Sequence, residues 1–516
     1  MSETGARKWI ITLTVILASV IELVDTSIVN VALPQMMGNL GATLDEVAWV
    51  VTAYVVANVI VVPMAGWLSA VFGRRNYFAG SIVLFTVASF FCGHATNIWE
   101  LVAFRFLQGT GGGALLATSQ SILVETFPPE ELGLANGLFG LGVVVGPTIG
   151  PTLGGWITDN YSWPWVFYVN IPIGIVATLL TLSFIHDPEE KHAVGAVDWA
   201  GIALLIAGIG SLQVVLERGE RDDWFSAPYI VVLTIVAVAG LLAFVVRELT
   251  ARHPVVDLRV LKDRSLAVGT AFTFILGFGL YASVFIFPVF AQNLLGFTAM
   301  QTGLILLPGS LATAVMMPTV GKLLQKKVPA QLMNAAGFLS FFYFTHLLSK
   351  STLESGRPDF FWPLIFRGVG LGLLFVPLTT LALSGLRGPA IAQGAGLTNM
   401  MRQLGGSFGV ALITTYVTKR SWSHRSNLLR YVSEYDPAVR ERLDAMTKGF
   451  MAHGSTLAQA RQQALAALEG TVVRQTFLLT YMDAFRIVGI FFLACIPLLL
   501  LFKRRRGAAP VAVAMH

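Results

Sequence analysis

Two carboxylates stand where an apolar chain has no local use for them. Glu22 and Asp25 both lie inside a hydrophobic run over residues 9–33. In a bilayer an ionisable side chain costs roughly 2.5–3.5 kcal/mol on insertion scales, so each asks for a partner or a function. A spacing of three places them one helical turn apart on a shared face. Thr26 and Asn30 extend that polar strip. One acid would suffice to pair with a buried arginine and hold helices together; two on one face exceed that need. The other chemistry open to them is proton carriage. A carboxyl that loads and releases protons near neutral pH must titrate about three units above its ordinary range, which takes about 4 kcal/mol. Burial and a neighbouring like charge supply shifts of that size. Such a group is neutral when loaded and discharges when a cationic substrate or a guanidinium approaches. No covalent step is required.

The bases inside apolar runs are Arg105, Arg367 and Arg402. Arg105 and Gln108, again three apart, present a hydrogen-bonding face beside the small-residue stretch GTGGG. An always-ionised Arg105 can assist proton transfer or can simply anchor backbone carbonyls. Together Asp25, Thr26, Asn30, Gln108 and Arg402 are the polar groups expected around a substrate cavity, with Glu22, Asp25 and Arg105 expected to couple protons. A further run carries Gly142, Gly146, Gly150 and Gly154 at intervals of four, with Pro147 and Pro151 one step on. Small residues in that register let a neighbouring helix approach backbone to backbone. The prolines each remove a backbone bond and invite a kink.

The elements that position these residues follow from composition. Of 516 residues 55% are hydrophobic and 12% charged, about half the charged fraction usual in soluble domains. Disorder, fibrous repeats and an ordinary soluble enzyme are excluded. Fourteen runs reach the length of about 20 apolar residues that a membrane span needs, the first at 9–33 and the last at 476–502. Least regular is the run at 360–385, where Pro377 and Gly385–Pro389 interrupt the end. Short loops rich in Lys and Arg, among them Arg7/Lys8, Arg74/Arg75, Lys191, Lys326/Lys327 and Lys503–Arg506, alternate with loops that are not, which predicts cytoplasmic termini at both ends. The net charge of +6 gathers in those loops and gives no reason to expect nucleic acid. Residues 419–475 form a long connection on the outer side that reads as two amphipathic helices, either a solvated cap or a docking surface for a partner protein.

The chain also repeats itself. Pro63-x-x-Gly66 before Arg74/Arg75 has a counterpart in Pro318-x-x-Gly321 before Lys326/Lys327, displaced by 255 residues. FRFLQGTGGGALL from Phe104 has one in FRGVGLGLLFV from Phe366, displaced by 262. This predicts an all-α integral membrane protein with two six-helix halves, 1–190 and 265–516, separated by two inserted helices within 191–264. Parallel halves with a substrate site between them near the midplane are a known transporter plan.

Taken together, LVDTSIVNVALP in the first run, GWLSAVFGRR after the second, RFLQGTGGG in the fourth and GVVVGPTIGPTLGGW in the fifth resemble the major facilitator superfamily. More narrowly, the chain resembles its fourteen-span drug:proton antiporters of the EmrB/QacA type, over essentially its whole length. The resemblance implies the major facilitator fold and proton-driven export of hydrophobic, often cationic compounds across the bacterial inner membrane. It implies Asp25 as coupling or substrate-sensing acid, Arg105 as its assistant, and Gly66, Gly73, Arg74, Arg75 and the glycine-proline stripe as gating elements. A periplasmic membrane-fusion adaptor and an outer-membrane channel are the implied partners, besides lipid, substrate and protons. One departure stands out: where the superfamily's loop motif carries an Asp-Arg pair, this chain has Ala70 and Val71. The acid that would latch the halves is missing. A proton-linked uniporter or symporter of a small metabolite is the alternative reading. An enzyme or an ATP-driven pump is disfavoured, since no P-loop, HExxH, GxSxG or Cys/His cluster occurs and no cofactor is implied.

Overall fold

The structure is a computed structural model that describes residues 5–128, 131–187, 197–433 and 435–501. Lys191 and Lys503–Arg506, and with them part of the orientation argument and the boundary at 190/191, lie outside the described residues. Among the described residues every regular element is helical. In a bilayer this is the economical solution, because a helix satisfies its backbone bonds internally.

Local signals fix the helix ends. α1 (Ala6–Leu40) stops at Gly41, whose φ of +61° suits a residue without a side chain, and Thr43 and Glu46 then form a capping box that starts α2 (Leu44–Val61). Pro63 sits in a single 3-10 turn, after which α3 (Ala65–Phe72) completes the second run and ends at Gly73, φ +81°. α4 (Arg74–His94), α5 (Ile98–Thr126), α6 (Leu132–Asn160), the short α7 (Trp165–Tyr168) and α8 (Asn170–Phe184) finish the first half. An inserted pair follows: α9 (Trp199–Leu205), a π-helical turn, α10 (Ser211–Arg218) and α11 (Pro228–Thr250). The second half holds α12 (Arg264–Asn293), α13 (Ala299–Gln325), α14 (Ala330–Leu348), α15 (Arg357–Leu383), α16 (Pro389–Leu429), α17 (Pro437–Ala452) and α18 (Leu457–Cys495).

Ten of these stretches are long and apolar enough to cross a membrane. The remaining predicted runs coincide with α5, α6, α14 and α16, which pack in the same bundle. Pro377 does not break its run; it lies inside α15, which continues to Leu383.

The halves meet along two seams. At one, α6 lies on α13 so closely that a Cβ on Gly133 would stand 2.8 Å from the Gly321 carbonyl oxygen, and one on Gly137 2.8 Å from that of Met317. At the other, a Cβ on Gly66 would stand 3.0 Å from the Gln393 nitrogen at the start of α16. Both approaches lie at the end of the bundle that carries Arg74/Arg75 and Lys326/Lys327, hereafter the basic face. The inserted pair is fastened to both halves. Arg221 pairs with Asp45 at 2.7 Å beside α2, while Gln213 and Trp224 donate to Ser407 and Thr415 of α16 at 2.7 and 3.0 Å.

The connection at 419–475 differs from the expectation of two amphipathic helices within a loop. α16 and α18 themselves run far past the bundle, and only α17 is a separate helix between them. No proline occurs between Pro389 and Pro437, nor between Pro437 and Pro497, so nothing stops either long helix early. The break falls instead at Gly454, φ +94°, where the Thr456 capping box restarts the chain. With 41 and 39 residues the two helices span about 60 Å each, roughly twice a hydrocarbon core. Arg425–Glu469 at 2.6 Å, and Arg420 and His424 on Asp483 at 2.9 Å each, clasp the projecting stalk at its base.

Candidate functional site

Asp25 of α1 is completely buried inside the first half, and two neighbouring helices, α5 and α8, donate to it. Arg105 of α5 donates to its Oδ2 at 2.5 Å; Gln108 of α5 and Asn170 of α8 donate to its Oδ1 at 2.9 and 2.8 Å. Ser89 of α4 accepts from both amides at 3.1 Å and donates to the Phe167 carbonyl at 2.9 Å. Arg105 is itself held from all sides: Nε donates to the Val50 carbonyl at 3.2 Å, Nη1 to Gln108 at 2.6 Å, and its plane lies 4.1 Å over the Tyr54 ring. A buried ion pair of this kind contributes little net stability when intact. Removing one partner costs about 3–5 kcal/mol, because the other charge is stranded.

The glycine-proline stripe explains how α1 is held in place. α6 lies along the same helix, with Gly142, Gly146, Gly150 and Gly154 facing Val20, Leu23, Ser27–Ile28 and Ile28. A Cβ on Gly150 would lie 3.0 Å from the Ile28 nitrogen, and one on Gly154 2.9 Å from the Ile28 carbonyl oxygen. Pro147 and Pro151 lie inside α6 between these contacts. The stripe is therefore the bearing surface for the segment that carries both acids.

Glu22 is also buried but turns elsewhere. It receives a hydrogen bond from Asn58 of α2 at 3.0 Å, and Asn58 accepts from Gln403 of α16 at 2.6 Å. Arg402, beside Gln403, is buried at the same seam and not within the Asp25 cluster. Thr26 and Asn30 bond back to α1, to the carbonyls of Glu22 at 2.8 Å and Thr26 at 3.4 Å. Asn30 is exposed. Of the expected cavity residues, then, Asp25 and Gln108 come together with Arg105, while Thr26, Asn30 and Arg402 do not join them.

Arg367 occupies the repeat position of Arg105 (367 − 105 = 262) and donates to Ser283 at 3.2 Å. Ser283 in α12 is displaced from Asp25 by nearly the same interval, 283 − 25 = 258. The second half thus reproduces the geometry with a hydroxyl in place of the acid. Among the described residues, no buried acid stands beside Arg367 as Asp25 stands beside Arg105.

At the basic face the loop after α3 lacks the motif acid, and others serve it. Arg74 pairs with Glu125 at the end of α5 and donates to the His186 carbonyl at 3.2 Å. Asp187, just past α8, accepts from the Arg75 backbone at 2.8 Å and packs on Gly73. These contacts brace the loop within its own half. Between halves the contact is made by the backbone approaches at Gly66, Gly133 and Gly321, with Asn136 donating to Thr380 at 3.2 Å.

Sequence reasoning missed Asn170, Ser89, Asn58, Gln403, and also Glu217 of α10, which accepts from Gln213 at 2.9 Å. Asn58, Asn170 and Gln403 are amides in apolar runs that a search for amides as well as carboxylates would have found, whereas Ser89 and Glu217 carry no such signal.

A bundle of long apolar helices closing around a buried acid-arginine pair is the architecture of a membrane transport protein. The chain belongs to the Major Facilitator Superfamily, whose model matches residues 15–410. It is a multi-pass transporter and not an enzyme. It is 35% identical to the fatty acid resistance protein FarB of Neisseria gonorrhoeae over 97% of this chain and 96% of that one. It is 33% identical to the multidrug export protein EmrB of Escherichia coli K12 over 98% and 97%. Among solved structures the human organic anion transporter MFSD10 (TETRAN) shares the fold, with a TM-score of 0.58 at 14% identity over 95% of this chain and all of that one. Efflux transport of the multidrug or fatty-acid kind is the activity these relatives support.

Proposed function

We propose that the chain is a proton-coupled antiporter exporting hydrophobic, often cationic compounds across a bacterial cytoplasmic membrane. The observation that carries this reading is the fully buried Asp25 under Arg105, Gln108 and Asn170, with no acid at the equivalent place in the second half. Three donors from two helices, α5 and α8, grip one carboxylate of α1, so a proton arriving there must loosen that grip, which links protonation to helix position. Relatives named for multidrug export and fatty acid resistance support an amphipathic substrate range. In this reading fourteen spans divide as 1–190, 191–264 and 265–516, the basic face and both termini are cytoplasmic, and the stalk projects outward.

The test is an efflux panel in a pump-deleted host, with and without a protonophore. Expression should lower dye accumulation, and the protonophore should abolish the difference. Efflux that persists without a proton gradient, or uptake in place of efflux, would refute the reading.

The stalk is the proposed docking surface for a membrane-fusion adaptor. Tyr431 and Tyr435, 78% and 84% exposed in the turn between α16 and α17, and Leu457, 63% exposed at the start of α18, are the apolar groups it offers a partner. Because Arg425 meets Glu469, residues 426–468 can be excised and the ends rejoined by a short linker. Excision should abolish crosslinking to the adaptor while dye transport in vesicles survives. Undiminished crosslinking would remove the stalk from the docking surface.

A further inference from the structure

The seam between the halves holds two half-satisfied ions, one on each side. Glu22 of α1 is 2% exposed; its Oε1 accepts from Asn58, and its Oε2 has no hydrogen-bond partner. Arg402 of α16 is also 2% exposed; its Nη2 donates to Asn399 at 2.5 Å, and its Nε and Nη1 have none. Each ion is tied to the opposite half only through an amide. Glu22 reaches α16 through Asn58 and Gln403, whose Nε2 donates to Asn58 at 2.6 Å. Arg402 reaches α5 through Asn399, which donates to Gln120 at 2.6 Å. Both relays run, donor to acceptor, from neighbouring residues of α16 into the first half.

A guanidinium does not give up its proton, so burying two of its donors unpaired is expensive unless another state satisfies them. The groups facing Glu22 are Asp25 from its own helix, Tyr54 and Asn58 from α2, and Arg402 from α16, with Tyr281 of α12 beside Arg402. Arg402 is the cation on the α16 side. Since α1 and α16 belong to different halves, any rocking of one half on the other changes the distance between the two ions.

We propose that Glu22 and Arg402 are partners held apart in the proton-loaded state and joined when the proton leaves. With its proton on, Glu22 is held by Asn58 as seen here. When the proton passes to the aqueous side, the carboxylate closes onto Nε and Nη1 of Arg402 as an ion pair across the seam. Arg402 is then a positioning residue that responds to the proton, not part of the substrate cavity. This rests on the proton-coupled reading above.

The experiment uses the purified full chain in proteoliposomes, with ethidium as the transported probe and an imposed pH gradient. Glu22→Gln, Arg402→Gln and the double variant are compared for proton-driven uphill transport and for thermal unfolding. Each single variant should lose uphill transport tenfold or more, and the double should be no worse than either. The double should also unfold at a higher temperature than Arg402→Gln. Full transport by Arg402→Gln, or losses that multiply in the double, would overturn the pairing. Where Arg402→Gln does not fold, Arg402→Met, which also removes the cation, takes its place, with the same two outcomes. Asp25→Asn in the same vesicles separates the two claims. If uphill transport survives in Asp25→Asn, the proton-coupled reading itself falls; if it survives only in Arg402→Gln, the pairing alone falls.

Discussion

Asp25→Asn is expected to reduce proton-driven efflux to background while the chain still reaches the membrane. The substitution removes the charge and turns one oxygen into an NH2 group. Gln108 and Asn170 both donate to Oδ1 and Arg105 to Oδ2, so an amide in this position must turn its NH2 toward one set of donors. Arg105, 1% exposed, is left without its counter-charge. The stability cost should be about 3–5 kcal/mol, the range for stranding one member of a buried pair. Adding Arg105→Gln removes the stranded cation and should recover much of that loss without restoring transport. Thermal unfolding of the two variants, read beside dye efflux, checks both halves of the expectation. Recovery of transport in the double variant would mean that the pair is only a structural tie.

Gly321→Val should disable the transporter by a different route. A Cβ at Gly321 falls against the backbone of Gly133, with the Gly133 carbonyl carbon 2.8 Å away and the Leu134 nitrogen 3.0 Å away. Backbone cannot swing aside as a side chain can, so the seam at the basic face must open. Overpacking of this kind costs about 1–3 kcal/mol, enough to lower the closed population roughly fivefold to over a hundredfold. The chain has only two cysteines, Cys92 and Cys495, and both are buried, which leaves a clean background for labelling. Ala117→Cys, buried beside Val62 and Ala65, should react with a cytoplasmic thiol reagent much faster once Gly321→Val is added. Equal labelling with and without Gly321→Val would show that this approach does not hold the seam.

Much of this was legible in the sequence because a bilayer leaves few reasons for a polar residue. The scarcity of charge made Glu22, Asp25 and Arg105 conspicuous, and Asp25 and Arg105 are indeed neighbours in space. The glycine interval of four in α6 announced a close helix contact, although not that its partner is α1. What stayed hidden depended on which helices lie side by side. Nothing local tells that Asn170 of α8 reaches Asp25, or that adjacent residues Arg402 and Gln403 send their relays to α5 and α2. The repeat gave Arg367 a position but not its partner, which is visible only once Ser283 is found where the first half has an acid. In the stalk the two amphipathic stretches do fall on helices, α17 and the start of α18, but local sequence does not tell that the second is continuous with the last long helix, nor that α16 runs on to Leu429.

The proposed exchange moves protons inward through the Asp25 site as substrate moves outward. It is tested most directly by recording proton flux with a pH-sensitive dye trapped inside proteoliposomes that contain the purified chain. Addition of ethidium should trigger proton movement opposite to the dye in the wild type and none in Asp25→Asn. Ethidium transport without proton movement, or proton movement undiminished in Asp25→Asn, would contradict the account.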